Sequence, residues 1–92
     1  MAVLAFVTAR PGREAALAAE LGSVVPATRL EPGCLRYDLH RDPANPASLA
    51  FLEAWESRGA LEAHMATPAF CASRDRQRDL VEAVEIRVLE TM

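Results

Sequence analysis

The sequence predicts an α+β fold of the ferredoxin-like type, in which one face of a four-stranded antiparallel sheet carries the helices. The main observation is that strand-like and helix-like segments alternate in the order β-α-β-β-α-β. A second is that the two middle strands are separated only by a turn-forming loop, as in an antiparallel hairpin. Because 92 residues bury only about 60 to 65% of the unfolded surface, we expect a single domain over residues 1–92.

The first strand and the first helix follow from local composition. Residues 2–9, AVLAFVTA, are apolar and partly β-branched, and they precede an Arg-Pro-Gly turn, so they predict a strand in the middle of the sheet. Residues 11–25 begin with proline and place Leu17, Leu21 and Val24 at helical spacing. We expect Pro26 to kink or end this helix.

The hairpin comes next in the chain. Pro32 and Gly33 fit the second and third positions of a type II turn, and residues 34–41 then alternate as a strand. One predicted face carries Leu35, Tyr37 and Leu39, and the other carries Arg36, Asp38 and His40. Residues 42–48 read as a seven-residue loop, and residues 49–56 as a strand whose shared face carries Leu49, Phe51, Glu53 and Trp55.

The second half of the chain repeats the helix-then-strand order. Ser57 is suited to cap a helix that presents Leu61, His64 and Met65 on one face, although Gly59 weakens that helix by about 1 kcal/mol relative to alanine. Thr67 and Pro68 predict a new cap and first turn, so a second helical segment should run over residues 68–81. Residues 83–90, AVEIRVLE, predict the last strand.

This topology leaves one face of the sheet without helices. Val84, Ile86 and Val88 make the last strand apolar, and we expect the uncovered face to be apolar as well. Two copies packed sheet to sheet would bury that face and compensate for the small core. The sequence therefore predicts a homodimer through the sheet face, in effect a dimeric α+β barrel.

Composition excludes several classes of function. The net charge of −3 argues against a nucleic-acid partner, and the run RDRQR, residues 74–78, reads as a solvated helix face interrupted by acids. No apolar run approaches the ~20 residues of a membrane span, and the first apolar stretch lacks a preceding basic residue, so we expect a cytoplasmic protein without membrane association. Cys34 and Cys71 are isolated and predict buried, reduced thiols, and no spacing predicts a metal site.

Two ionisable residues lie at positions where the pattern predicts burial. His64 shares a helical face with Leu61 and Met65, and it reads either as a core histidine or as a group that exchanges a proton near pH 7. Glu53 lies between two aromatic residues on one strand face; it is either partly buried, with a raised pKa, or an edge-strand charge that reaches solvent.

Aromatic residues on the hairpin could form a pocket around these groups. Trp55 and Tyr37 are core residues in the simpler interpretation. Their placement on adjacent strands also permits one aromatic pocket with Glu53 and His64 at its polar end. No phosphate loop, nucleophile elbow or dinucleotide motif is present.

Three segments within residues 31–70 carry a family resemblance: PGCLRYDLHRD, FLEAWES and ALEAHMATPAF. Together with the order and length of the flanking elements, they resemble the antibiotic biosynthesis monooxygenase family, including its small quinol monooxygenases. The resemblance implies a dimeric fold with a pocket between sheet and helices. It also implies that O₂ oxidises a small electron-rich aromatic substrate, such as a quinol or a polyketide-like phenol, with no flavin, haem or metal cofactor.

The resemblance also assigns roles to residues. It implies His64 and Glu53 as catalytic residues, and the implied substrate-binding residues are Tyr37, Trp55, Phe51, Phe70 and Arg74. Relatives that degrade haem bind iron through a histidine where this chain has Arg74 in FCASR, which disfavours haem degradation. The alternative is a non-catalytic dimer of the same fold that binds a small ligand or serves a structural role. For the His64→Ala exchange, the sequence predicts a large loss of turnover and a stability loss of roughly 1 kcal/mol.

Overall fold

The computed structural model describes residues 1–92 and confirms the predicted fold class. Four antiparallel strands form one sheet in the order β2-β3-β1-β4, so the first strand lies in the interior as predicted. The helices pack on one face of the sheet. The elements are β1 (Ala2–Ala9), α1 (Glu14–Ser23), α2 (Val25–Arg29), β2 (Cys34–Asp42), β3 (Asn45–Trp55), α3 (Arg58–Met65), α4 (Pro68–Gln77) and β4 (Val81–Leu89).

The first helical segment is divided into two helices. Gly12 adopts a φ of 81°, so α1 begins only at Glu14 and not at Pro11. Pro26 ends the first helix as predicted, but it also lies in the first turn of α2, where its missing N–H costs no hydrogen bond. The five-residue α2 then delivers the chain to the turn before β2. Gly33 in that turn has a φ of 81°, which confirms the predicted positive φ.

The predicted seven-residue loop of the hairpin is wrong. Both strands continue to a two-residue turn at Pro43 and Ala44, where the carboxylate of Asp42 accepts the N–H of Ala44 at 2.8 Å. Proline is tolerated at position 46 because the pairing of β3 with β1 ends at Ser48, so no partner on that side requires its N–H.

A bulge at the start of β2 breaks the predicted alternation at Leu35. Cys34 lies opposite Trp55 and Arg36 opposite Ala54, so Leu35 has no opposite residue on β3. Leu35 is exposed, whereas Tyr37 is buried as the pattern predicted.

The two caps of the second half are present as predicted. The hydroxyl of Ser57 accepts the N–H of Ala60 at 3.1 Å, and that of Thr67 accepts the N–H of Phe70 at 3.1 Å. Helix α4 ends at Gln77 and β4 begins at Val81, so the second helical segment is shorter than predicted.

The core lies between the sheet and the helices. From β1 it contains the alternate residues Val3, Ala5, Val7 and Ala9; the other elements contribute Leu17, Leu21, Tyr37, Leu49, Phe51, Trp55, Leu61 and Leu80. The face of β3 predicted from the sequence, Leu49 to Trp55, is buried throughout and includes Glu53. Burying these side chains supplies the main driving force for folding.

The apolar residues of β4 face the helices and not the uncovered side of the sheet. Val84, Ile86 and Val88 lie directly opposite the core residues of β1, and directly opposite residues project to the same side. The inference of an apolar uncovered face from these three residues is therefore wrong. That face instead carries residues of the two inner strands, among them Leu4, Phe6, Ala50 and Leu52.

The cysteines also differ from expectation. Cys34 and Cys71 are free, but each is only partly buried. None of the helices has the length and apolar character required to cross a bilayer.

Candidate active site

A cavity of about 550 Å³ lies between the helix-facing side of the sheet and the helices. Its sheet side is lined by core residues of β1, β2 and β3 and by the apolar residues of β4, and its helix side by α1 to α4. The cavity opens over β4, and for this reason Val84, Ile86 and Val88 are exposed although they face the helices. Its volume falls within the range of small-molecule pockets.

His64 lies at the polar end of this cavity. The side chain is only 5% exposed, because the first turn of α4 and the sheet surround it. Its ring stacks on Trp55, with centroids 4.7 Å apart, and Nδ1 lies 2.9 Å from Oε1 of Glu31. Nε2 has no hydrogen-bond partner in the protein, yet it is not sealed from solvent-accessible space. One ring nitrogen is thus anchored, and the other is unpaired on a side chain that lines the cavity.

Glu53 is a buried carboxyl group on the neighbouring strand. Its Oε1 accepts a hydrogen bond of 3.0 Å from Nε1 of Trp55, and its other oxygen has no partner in the protein. Burial raises the pKa of Glu53, while the Trp55 hydrogen bond and the proximity of His64 oppose that rise. The structure therefore favours the buried, raised-pKa interpretation of Glu53 over the solvent-reaching one.

Trp55 does not line the cavity. Its side chain is 1% exposed and lies behind His64 and Glu53, where it supports the first by stacking and the second by its N–H. Direct contact with a ligand, as the resemblance implied, is therefore not available to Trp55 in this arrangement.

Three aromatic rings form the walls next to the polar end. Tyr37 packs against Phe51 with centroids 4.7 Å apart, and Phe70 meets the ring of His64 edge-on at 5.1 Å. All three line the cavity, as expected for the predicted aromatic pocket. Burial, with the nearby carboxylates Glu53 and Glu31, raises the pKa of Tyr37 well above its ordinary value, so its hydroxyl stays neutral.

Arginines of α4 lie at the other side of the cavity. Arg76 binds the carboxylate of Glu20 on α1 at 2.7 Å, and Ser73 donates to the same carboxylate at 2.8 Å, which ties the two helices together. Arg74 also lines the cavity and has no ion-pair partner. Residues 74, 75, 76 and 78 are exposed, as predicted for a solvated helix face, and Arg76 adds an ion pair with Glu20 to that exposure.

Glu31 is a site residue that the sequence analysis missed. It lies in the turn before β2, 33 residues from His64, and its carboxylate both binds His64 and lines the cavity. The sequence feature that could have identified Glu31 is its position in the predicted turn, directly before Pro32 and Gly33. No group of three or more His, Cys, Asp or Glu side chains is arranged to bind a metal ion.

Comparison with known proteins gives consistent matches. Residues 1–76 match the family model described as antibiotic biosynthesis monooxygenase. The chain is 31% identical to "Probable quinol monooxygenase YgiN" of Escherichia coli over 98% of this chain and 96% of that protein. It is 29% identical to "Uncharacterized protein sll1783" of Synechocystis over 89% of this chain but only 56% of that longer relative, so it spans little more than half of the latter.

Solved structures agree with the sequence matches. The crystal structure of PA3566 from Pseudomonas aeruginosa superposes with a TM-score of 0.94 at 35% identity, covering 99% of this chain and 92% of that chain. A match over most of the chain in both sequence and fold confirms the resemblance seen in residues 31–70. The chain belongs to the antibiotic biosynthesis monooxygenase family.

Proposed function

We propose that this protein is a cofactor-independent monooxygenase that oxidises a small electron-rich aromatic molecule, a quinol or a related phenol, with O₂. The observation that carries the proposal is the free Nε2 of His64 at the polar end of an otherwise aromatic and aliphatic cavity. A phenolic hydroxyl placed there meets a proton acceptor, and its ring meets apolar walls. The match to a relative named as a quinol monooxygenase supports the same class of substrate.

The reaction begins with removal of a proton from the substrate hydroxyl. His64 takes this proton at Nε2, and the free oxygen of Glu53 is a second acceptor whose raised pKa makes it more basic than an ordinary carboxylate. The substrate anion then gives one electron to O₂, and the resulting radical and superoxide combine to form a C–O bond. For a quinol, loss of water leaves a hydroxyquinone: one oxygen atom enters the product, the other leaves as water, and the substrate supplies all the electrons.

The apolar walls favour reaction of the substrate anion with O₂, because they reduce the contact between that anion and water. Phe51, Phe70 and the apolar β4 residues would contact the bound ring in place of water, and displacing water strengthens the interaction between the substrate hydroxyl and its proton acceptor. Arg74, which has no partner in the protein, lies where it can bind a carbonyl or acidic substituent at the far end of the substrate.

Oxygen uptake with a panel of quinols and anthrone-like phenols tests the proposal. We expect uptake that saturates with substrate, a ratio of one O₂ per quinol, and one ¹⁸O atom in the product. His64→Ala should lose this uptake, and Glu62→Ala is the matched control, because Glu62 is exposed on the same helix. Hydrogen peroxide in place of ¹⁸O incorporation would show an oxidase. Ligand binding without oxygen uptake would favour the non-catalytic module.

The same proposal includes a homodimer through the uncovered sheet face. The centre of this face is apolar, and the side chain of Phe6 is 41% exposed there although it is a large aromatic residue. A single chain of 92 residues gains from burying such a face against its own copy. Sedimentation velocity at micromolar concentration should show a dimer for the natural chain and a monomer for Phe6→Asp. A stable monomer of the natural chain would contradict this part of the proposal.

A further inference from the structure

Glu31 and His64 form a pair that the turn before β2 and helix α3 hold together. The carboxylate of Glu31 is 20% exposed, and its Oε1 lies 2.9 Å from Nδ1 of the buried imidazole. A hydrogen bond between these atoms needs one proton. Because an ionised carboxylate can only accept a hydrogen bond, Nδ1 must carry the hydrogen.

The turn that carries Glu31 is fixed against α3. Gly33 has a φ of 81°, and a Cβ built on it would lie 2.6 Å from the Cβ of Ala60, so the turn packs directly on the first turn of α3. The N–H of Glu56 also donates to the carbonyl of Gly33 at 2.8 Å. The backbone that carries the carboxylate therefore has little freedom to move away from the helix that carries the histidine.

The ring of His64 is restrained as well. Trp55 stacks on it with an interplanar angle of 28°, and Phe70 meets it edge-on at 74°. These contacts fix the plane of the ring but leave its two nitrogens free to exchange their hydrogen. Only the carboxylate of Glu31 distinguishes one ring nitrogen from the other, since Nε2 has no partner in the protein.

We propose that Glu31 is a positioning residue that holds neutral His64 in the tautomer with hydrogen on Nδ1, which leaves Nε2 as a proton acceptor toward the cavity. A neutral imidazole has one donor and one acceptor nitrogen, so fixing the donor also fixes the acceptor. The opposite tautomer would present an N–H to the substrate hydroxyl and could not take its proton. The catalytic consequence rests on the proposed function, but the tautomer does not.

Nitrogen-15 NMR tests the tautomer without any substrate. Two-bond ¹H–¹⁵N correlations of the imidazole rings distinguish hydrogen on Nδ1 from hydrogen on Nε2 in neutral histidine. The chain has only two histidines, and exposed His40 serves as an internal reference. We expect the Nδ1–H form for His64 in the natural protein. An Nε2–H form there, or a ring that carries hydrogen on both nitrogens at the assay pH, would overturn the proposal without any variant.

Three variants then connect the tautomer to Glu31. In Glu31→Gln the neutral amide can either donate or accept a hydrogen bond, so we expect His64 to lose its preference for hydrogen on Nδ1. In Glu31→Asp a carboxylate remains but is shorter, so part of that preference should be retained. Glu62→Gln is the matched control, because Glu62 is exposed on the same helix two residues from His64. An unchanged tautomer in folded Glu31→Gln would overturn the proposal.

Kinetics on an active quinol give the functional consequence. We expect kcat of Glu31→Gln to fall on the order of 10²-fold or more, with a smaller change in KM, as is typical for a misplaced general base. Normal turnover together with a changed tautomer would disprove positioning for catalysis. If the natural protein oxidises no quinol at all, the proposed function fails, and the NMR result still decides whether Glu31 sets the tautomer.

Discussion

Replacing His64 by alanine should reduce both turnover and stability, and the structure gives the size of the second effect. The exchange removes the hydrogen bond to the Glu31 carboxylate, a type of bond that contributes about 1.5 to 3 kcal/mol. It also removes the stack on Trp55 and the edge contact with Phe70, each about 0.5 to 1.5 kcal/mol. Because water can enter the space from the adjoining cavity, no large penalty for an empty void is added.

We therefore expect the free energy of unfolding to fall by about 2.5 to 6 kcal/mol, more than the value predicted from the sequence. For a domain of this size such a loss lowers Tm by about 10 °C or more. Turnover per folded molecule should fall by ~10²- to 10⁴-fold, the usual effect of losing a general base. The two effects must be measured separately, since a partly unfolded sample also loses activity.

The assay combines urea unfolding of each variant with oxygen uptake at a temperature where the variant is folded. Glu62→Ala reports the effect of an exchange at an exposed position of the same helix and should change neither quantity. A stability loss below 1 kcal/mol for His64→Ala would refute the argument from burial and pairing. Normal turnover of the folded variant would refute the role of His64 as the base.

Three further predictions follow from other contacts. Hydrogen bonds from Arg76 lower the pKa of Glu20, so this carboxylate stabilises the fold above its unfolded pKa of about 4.3, and the contribution is lost as pH falls through the lower folded pKa. Glu20→Gln should thus cost about 1 kcal/mol near pH 7 in urea unfolding, and a cost that persists unchanged at pH 2 would contradict the ion pair. Gly33→Ala should destabilise by about 2 kcal/mol or more, because it combines a positive φ with a clash against Ala60; a thermal melt equal to that of the natural protein would refute this. Burial raises the pKa of Tyr37, so ionisation favours unfolding as pH rises above ~10, and absorbance of the only tyrosine should change only as the fold is lost. A reversible titration near pH 10 with the fold intact would contradict its burial.

The fold was predictable because its elements depend on local patterns. The alternation of Leu49 to Trp55, the proline at position 26 and the caps at Ser57 and Thr67 each identify an element from nearby residues, and the structure confirms all of them. The errors lie at element ends. The strands of the hairpin extend to the short turn at Pro43 and Ala44, where Asp42 pairs with Asn45, and the low-propensity residues 46–48 form an irregularity without partners on β2.

The candidate site was predictable only in part. Periodicity placed Glu53 and His64 on inward faces, and the resemblance selected them as functional positions. Glu31 could not be found by periodicity, because it lies in a turn and its partner is 33 residues away. The position of Trp55 behind the cavity wall could not be predicted either. Alternation along a strand shows which side of the sheet a residue faces, but not whether its side chain reaches the cavity.

The apolar residues of β4 show why the side of a strand matters to function. The alternating sequence predicts that Val84, Ile86 and Val88 share one apolar face of β4. Alternation alone does not determine whether that face lies on the helix side or on the uncovered side of the sheet. The register with β1 places it on the helix side, where the helices leave it uncovered and the cavity opens. This face of β4, from which the sequence analysis predicted a protein partner, therefore lines the cavity instead. The apolar surface available for a dimer is a different one, formed by residues of β1 and β3 such as Phe6 and Leu52, and the two surfaces can be altered independently by substitution.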